Sequence, residues 1–356
     1  MPCYHPITAY RSPRCVNTAS GKPKLFFKEY KVKCWPGYET LQVPCGQCIG
    51  CRLERSRQWA VRCVHEASLY ENNCFITLTY ADKHIPANKS LILDHFQKFM
   101  KRLRIFASRD RKFKKACRKK FGKDFLKIRF FHCGEYGTIC KTCGKSKIKC
   151  ECPPGAFIPA LGRPHYHACL FNFDFPDLEL APIYQRPGAP PLFVSKSLQK
   201  IWKKGFSTIG RVNFESAAYV ARYITKKITG SPADEHYEIP VEKAGFKWKE
   251  QRKPEYTTMS RGGRTGKGIA HGWYTQFKSD VFPSDEVVLR GKQMKPPKYY
   301  DRCLEFDNVV EFTTIKAKRK AKALQNLADN TTARLAIKEI CKTQQHQQLK
   351  RGMENE

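Results

Sequence analysis

Apolar residues recur at two different periods along this chain, and the periods mark out its elements. CFITLTY (74–80) alternates as a strand does, with successive side chains on opposite faces. SLILDHFQKFMKRLRIFAS (90–108) repeats its apolar residues three and four apart and carries a basic outer face, which predicts an amphipathic helix. KIRFFHCGEYG (127–137) and RPHYHACLFN (163–172) predict two more strands. SKSLQKIWKKG (195–205) predicts a helix ending at glycine, FSTIGRVN (206–213) a short strand, and FESAAYVARYITKKITG (214–230) a helix closed by glycine. An earlier helix is predicted at ERSRQWAVRCVHEASL (54–69).

Strands and helices thus intermix without a repeating βαβ spacing. That predicts an α+β fold with a mainly antiparallel sheet flanked by helices. The pattern also divides the chain. Residues 1–70 form a Cys-rich segment with few clear strands, and 71–231 form the central domain, with a Cys-bearing insertion at 138–163. Residues 232–314 are rich in Pro, Gly and charge, and 315–356 form a basic, Gln-rich tail predicted to be helical. No internal repeat is visible.

Charge narrows the function. The 356 residues include 66 Lys and Arg against 32 Asp and Glu, a formal net charge of +34. Such an excess repels itself unless a polyanion offsets it, and nucleic acid is the usual one. No apolar run reaches the roughly 18 residues of a membrane span, and MPCYHPITAY lacks the apolar segment of a signal peptide. No membrane partner is expected. The 17 cysteines include singletons inside apolar runs (Cys74, Cys133, Cys169), and others clustered at metal-ligand spacing. That usage predicts a reducing cytoplasm with thiolate-bound zinc instead of a disulfide scaffold.

Four groups of residues carry candidate chemistry. His165 and His167 stand two apart on a strand and so share a face. Glu135, at the end of the preceding strand, supplies the carboxylate that two imidazoles need to hold a divalent ion with open positions. Cys140, Cys143, Cys150 and Cys152 give four thiols, the number a closed tetrahedral zinc requires. A knuckle there would close the loop and let 127–135 and 165–172 pair. Cys45, Cys48 and Cys51 need a fourth ligand, for which Cys3, Cys15, Cys34, Cys63 and His65 are candidates; zinc is the first reading, an iron–sulfur cluster the second. On the helix at 214–230, Ala217, Val220, Ala221, Ile224 and Ile228 form an apolar stripe. Tyr219 and Tyr223 lie four apart on a face off that stripe, with Lys226 beside them. A tyrosine can attack a phosphate that a metal polarises, and two on one face could do so in succession.

The set CFITLTY, GEYG, RPHYHACLFN and YVARYITKK resembles the motifs of rolling-circle replication initiators of the HUH endonuclease superfamily. It is most similar to replication-associated proteins of gokushovirus-type phages of the Microviridae. MPCYHP, VPCGQCIGCRLERSRQWA, FSTIGRVNFESAAYVARYITKK and PPKYYDR extend the likeness over most of residues 1–305. The resemblance implies an HUH-type domain that nicks phage DNA at its origin through a 5′-phosphotyrosine, leaves a 3′-OH for the host polymerase and rejoins the displaced strand. It implies His165, His167 and Glu135 as ligands of Mg²⁺ or Mn²⁺ and Tyr219 and Tyr223 as paired nucleophiles. Lys226 is then a group that lowers a phenol pKa or holds phosphate. Lys98, Lys101, Arg102, Arg104, Arg222 and Lys227 are candidate phosphate contacts. The expected partners are viral single-stranded and replicative-form DNA and the host helicase and polymerase, in the host cytoplasm. Two other readings stand beside this one. The first is a zinc-stabilised nucleic-acid-binding protein without catalysis, in which His165 and His167 merely pack; the second is an HUH transposase or relaxase with the same chemistry.

Overall fold

The alternating runs at the centre of the sequence form one antiparallel sheet in the computed structural model. The structure describes residues 3–17, 23–31, 37–146, 149–153, 156–181, 190–228, 232–243, 245–261 and 267–348. Two compact units divide the chain, Met1–Arg55 with Lys316–Leu349, and Ser56–Ile315.

In the first unit, β1 (Ile7–Val16), β2 (Pro23–Phe26) and β3 (Glu39–Val43) form a small sheet in the order β2-β1-β3. The segment expected to hold few strands therefore contains a sheet of its own. Helix α1 (Ile49–Ala67) begins inside the PCGQCIGC motif, five residues before the predicted start at Glu54, and its residues from Ser56 onward belong to the second unit.

The second unit contains β4 (Asn73–Thr79), α2 (Leu93–Arg109), α3 (Arg111–Phe121), β5 (Arg129–Cys140), β6 (Pro159–Phe171), β7 (Leu178–Leu180), β8 (Phe193–Ser195) and α4 (Lys196–Trp202). There follow β9 (Ser207–Arg211), α5 (Phe214–Lys226), α6 (Pro232–Tyr237), β10 (Glu238–Lys243), β11 (Phe246–Gln251), β12 (Tyr256–Met259) and α7 (His271–Val281). After β13 (Val287–Leu289), β14 (Lys292–Met294) and α8 (Lys298–Asp307) comes α9 (Val309–Leu324), whose residues from Lys316 onward belong, with α10 (Thr332–Gln348), to the first unit. The central sheet has seven strands in the order β12-β5-β6-β4-β9-β8-β7, with every neighbouring pair antiparallel. This is the α+β architecture that the pattern predicts.

Alternation gives the sheet two buried faces. Ile76, Leu78, Tyr166, Ala168 and Leu170 pack on one side with Phe96, Phe99, Met100 and Leu103 of α2 and Leu198, Ile201 and Trp202 of α4. Phe75, Phe131, Cys133, Cys169 and Phe171 pack on the other with Val61 and Cys63 of α1, Ala217, Val220 and Ala221 of α5, and Tyr300 and Leu304 of α8. Each of the large aliphatic and phenylalanine side chains among them contributes about 1.5–3 kcal/mol by leaving water, so both layers hold the strands in register.

The ends of the short helices are set locally. Ser195 Oγ accepts from the Leu198 amide at 3.0 Å to start α4. That helix stops at Trp202, where Lys203 takes a left-handed conformation at φ 61°. Gly205, expected to close the helix, has another task. A Cβ there would come within 2.2 Å of the Ala81 amide nitrogen, so only glycine lets this turn lie against the end of β4. Helix α5 starts at a reciprocal cap: Asn213 Oδ1 accepts from the Ser216 amide at 2.7 Å, and Ser216 Oγ accepts from the Asn213 amide at 2.9 Å.

Candidate active site

Strands β5 and β6 form one long hairpin whose pairing joins the residues that the sequence separates. Glu135 stands directly opposite His165, and Cys133 opposite His167. On the other edge of β6, Thr79 faces His165 and Thr77 faces His167. Just beyond Glu135 the register shifts between Tyr136 and Thr138, a bulge of the kind that re-aims side chains at sites. Gly162 lies in this irregular stretch, where a Cβ would meet Ile139 at 2.9 Å and the Gly137 carbonyl oxygen at 3.0 Å.

All three side chains are buried, with exposures of 2% for Glu135, 8% for His165 and 1% for His167. Each imidazole is held from behind. His165 Nδ1 lies 3.1 Å from the Arg163 carbonyl oxygen, and His167 Nδ1 lies 2.9 Å from Thr77 Oγ1. Both Nε2 atoms converge on one oxygen of Glu135; His167 Nε2 is 2.8 Å away and His165 Nε2 makes the closer contact. A carbonyl can only accept, so His165 carries its Nδ1 proton there, and a neutral ring then aims a lone pair at a carboxylate. A cation between those atoms removes the conflict, and fixing Nδ1 from behind is how metal-binding histidines are oriented. The ligand atoms lie within 4.8 Å of one another, so the donor set fits one divalent ion with positions left open. Burial opposes ionisation of Glu135; when the two imidazoles beside it are protonated, their charge outweighs burial and holds its carboxyl down to about 2.

Helix α5 brings Tyr219 to the same place. Its ring stands edge-on to His167 with centroids 5.0 Å apart, and edge-on to Phe75 at 6.1 Å. The Arg222 guanidinium lies 5.4 Å from the Tyr219 ring centre. Tyr219 is only 3% exposed. The apolar stripe read from the sequence is thus too narrow. Ala217, Val220 and Ala221 are fully buried, but Ser216 and Tyr219 are buried as well, because α5 packs on the sheet while its Ala218 carbonyl receives Ser56 Oγ of α1 at 3.5 Å. Tyr223 and Lys226 occupy backbone positions of α5, and their side chains lie outside the described residues. Lys227, just past the helix, is exposed.

The other basic candidates lie on α2, whose apolar side packs on the sheet face opposite the Glu135 cluster. Arg102 donates to the carbonyls of Ile201 and Trp202 at 2.9 and 3.4 Å. Arg104 donates to the Ile128 carbonyl at 3.1 Å. Lys98 pairs with Asp94 at 2.6 Å, and Lys101 is exposed. Sequence reasoning passed over Thr77, although a polar residue on the inward face of the apolar run CFITLTY marks it out.

At the tip of the β5–β6 hairpin, Cys140, Cys143, Cys150 and Cys152 gather their sulfurs within 4.8 Å. Sγ atoms of Cys140 and Cys152 are 3.7 Å apart, those of Cys143 and Cys150 3.6 Å. Four thiolates on a tetrahedral ion with bonds of about 2.3 Å stand roughly 3.8 Å apart, so this spacing is that of a metal site and far from a disulfide. Amide donors, first that of Cys143, bring the Cys140 thiol down to about 6. Cys45, Cys48 and Cys51 find their fourth partner in Cys3. Cys63 is instead buried in the core of the second unit, and His65 stacks on Trp273. Cys34 lies outside the described residues, and no disulfide joins any of the described cysteines.

A family model described as "Replication-associated protein ORF2/G2P" matches residues 159–228, which run from the start of β6 through α5. The replication-associated protein ORF2 of Spiroplasma virus 4 is 32% identical over 296 residues, covering 80% of this chain and 75% of that protein. The replication-associated protein VP4 of Bdellovibrio phage phiMH2K is 27% identical over 281 residues, covering 79% of this chain and 73% of that protein. The replication-associated protein ORF4 of Chlamydia phage 1 is 28% identical over 265 residues, 74% of this chain and 53% of that protein. No solved structure matches the chain. Among the described residues no helix is long and apolar enough to cross a membrane. The chain belongs to the replication-associated proteins of gokushovirus-type phages of the Microviridae.

Proposed function

We propose that this protein starts rolling-circle replication of phage DNA by nicking one strand at the origin and later rejoining it, through a tyrosine-linked intermediate. The observation that supports this most is the convergence of His165, His167 and Glu135 beside the Tyr219 ring, on neighbouring strands and the helix that covers them. His165, His167 and Glu135 would hold Mg²⁺ or Mn²⁺; when bound, the cation polarises the scissile phosphate and offsets the negative charge that grows on it.

The chain's own groups do the rest. A tyrosine hydroxyl, Tyr219 or Tyr223, gives up its proton and attacks phosphorus. The bond to the 3′ oxygen breaks, and that oxygen leaves as a 3′-OH after taking a proton. The 5′ phosphate stays on tyrosine as a diester, so its bond energy is kept and rejoining needs no nucleotide cofactor. The four-residue spacing offers a second hydroxyl for the displaced strand. Lys226 lowers a phenol pKa or holds phosphate, and Arg222, beside the Tyr219 ring, and Lys227 contact backbone phosphates. Lys98 and Lys101 are further phosphate contacts. The freed 3′-OH is the substrate for host polymerase, with a host helicase opening the duplex. Zinc at Cys140, Cys143, Cys150 and Cys152 would fix the hairpin tip.

The test is incubation of the full chain with a single-stranded oligonucleotide spanning the origin, with Mg²⁺ or Mn²⁺. A covalent protein–DNA band that EDTA suppresses is expected. If the oligonucleotide is bound but never cleaved under any divalent ion, the protein is a binding protein and the nicking reading fails.

A further inference from the structure

In the first unit a second set of four thiols joins two distant parts of the chain. Cys3 lies 42 residues before Cys45, yet its sulfur accepts from the Cys45 amide at 3.2 Å and lies 3.9 Å from the Cys48 sulfur. The turn Cys45–Cys48 wraps its own sulfur: Cys45 Sγ accepts from the amides of Gln47 and Cys48 at 3.4 and 3.3 Å. Gly46 allows this wrapping with φ of +76°. The Tyr4 amide reaches Cys48 Sγ at 3.4 Å. Amides that point at sulfur stabilise thiolates, and four thiolates this close repel one another without a cation among them.

We propose that Cys3, Cys45, Cys48 and Cys51 bind one zinc ion, and that this ion ties the N-terminal residues and the helix α10 into a single unit. Four sulfurs within 4.8 Å of one another surround a single ion. An iron–sulfur cube spreads its four cysteines over four separate irons and needs a wider cage, so the second sequence reading of this motif does not fit. A tetrahedral set of four thiolates suits zinc or iron, and closed four-cysteine sites of this kind are the usual form of structural zinc.

Among the described residues, α10 meets the N-terminal segment through a small apolar cluster and one ion pair. Leu335 of α10 shares its apolar cluster with two other buried residues, Tyr4 and Cys48. His5 Nε2 meets Glu339 Oε2 at 2.6 Å, but the histidine is 65% exposed, and such surface pairs contribute less than about 1 kcal/mol. Ordering a residue costs roughly 1.5 kcal/mol, and α10 has 17 residues. Tyr4 and His5 follow Cys3 directly, so the ion that fixes Cys3 also fixes the two contacts that receive Leu335 and Glu339. Its role is structural; strand cleavage does not pass through it.

Elemental analysis of the full chain, purified without chelator, is expected to give two zinc ions, one for each tetrathiolate group. Cys3→Ser should carry one zinc and Cys3→His two. In Cys3→Ser, amide exchange over Thr332–Gln348 should rise about tenfold or more while that of Arg129–Phe171 stays as in the wild type. Should Cys3→Ser not remain soluble, cobalt-loaded wild-type protein should show thiolate-to-metal absorption for two four-sulfur sites. The proposal fails if Cys3→Ser keeps both zinc ions, if the wild type holds one zinc or an iron cluster, or if exchange of α10 does not change.

Discussion

The β5–β6 hairpin carries two donor sets a few residues apart, and they are built on opposite rules. At its base, Glu135, His165 and His167 come from facing positions of paired strands, and their rings are held from behind by Thr77 and the Arg163 carbonyl. At its tip, Cys140, Cys143, Cys150 and Cys152 come largely from the connecting turn, and backbone amides point at the sulfurs. Two imidazoles and a carboxylate leave an ion coordination positions to spare; four thiolates leave none. A tyrosine ring stands beside the first set. The rigid sheet thus positions the set that would act, while the loop set would hold shape.

That contrast can be broken by changing either end. His167→Ala removes a donor from the base and should lower cleavage on the order of 10³-fold, since a catalytic metal supplies several kcal/mol to the transition state. Zinc content should stay unchanged. Near-normal cleavage by this variant would make the base a structural site. Replacing Cys140 and Cys143 by Ser should remove one zinc and loosen the tip. Cleavage should fall less, by about 10- to 100-fold, as expected for ligands displaced by around 1 Å. Unchanged zinc content in that double variant would remove the knuckle from the account.

Smaller changes sharpen the comparison. Thr77→Val leaves the ring of His167 without its Nδ1 partner and should weaken Mn²⁺ binding by about 10- to 100-fold, with cleavage restored at high Mn²⁺. Thr77→Ser should behave as wild type. If Val and Ser variants bind Mn²⁺ equally, the hydroxyl does not orient the ring. The smallest effect is on stability. Burial pushes the imidazole of His65 down to about 4, whereas an unfolded histidine titrates near 6.5. The unfolded chain therefore takes up this proton first, and stability present above pH ~6.5 is lost as the pH falls toward 4, by about 2 kcal/mol at pH ~5. Asp174, pushed up to about 6 by burial, acts in the opposite sense between roughly 3.8 and 6. Denaturant unfolding of wild type and His65→Gln at pH 8 and 5 isolates the histidine: the variant should lose less stability on acidification. Equal losses in the two proteins would contradict it.

Much of this was legible in the sequence because one period governed it. Alternation placed Glu135, His165 and His167 on inward faces, and the four cysteines between their strands offered a way to close the long connection into a hairpin. The width of the buried face of α5 was not legible, since burial of Tyr219 and Ser216 depends on α1 as well as on the sheet. Nor was the role of Cys3, whose pairing with Cys45 depends on a fold across 42 residues that no local pattern encodes. Arg102 and Arg104 read as an outer basic face; in the structure their guanidinium groups reach carbonyls of Ile201, Trp202 and Ile128. Helix periodicity shows which side a residue takes and is silent on what a long side chain can reach from there.

The central claim is that a tyrosine of α5 carries the DNA. It is tested most directly by digesting the covalent product of full-length protein and origin oligonucleotide with trypsin and sequencing the DNA-linked peptide. The account predicts a peptide containing Tyr219 or Tyr223, and no adduct when both are replaced by Phe. An adduct that persists in the double variant, or a DNA-linked peptide from elsewhere in the chain, would contradict it.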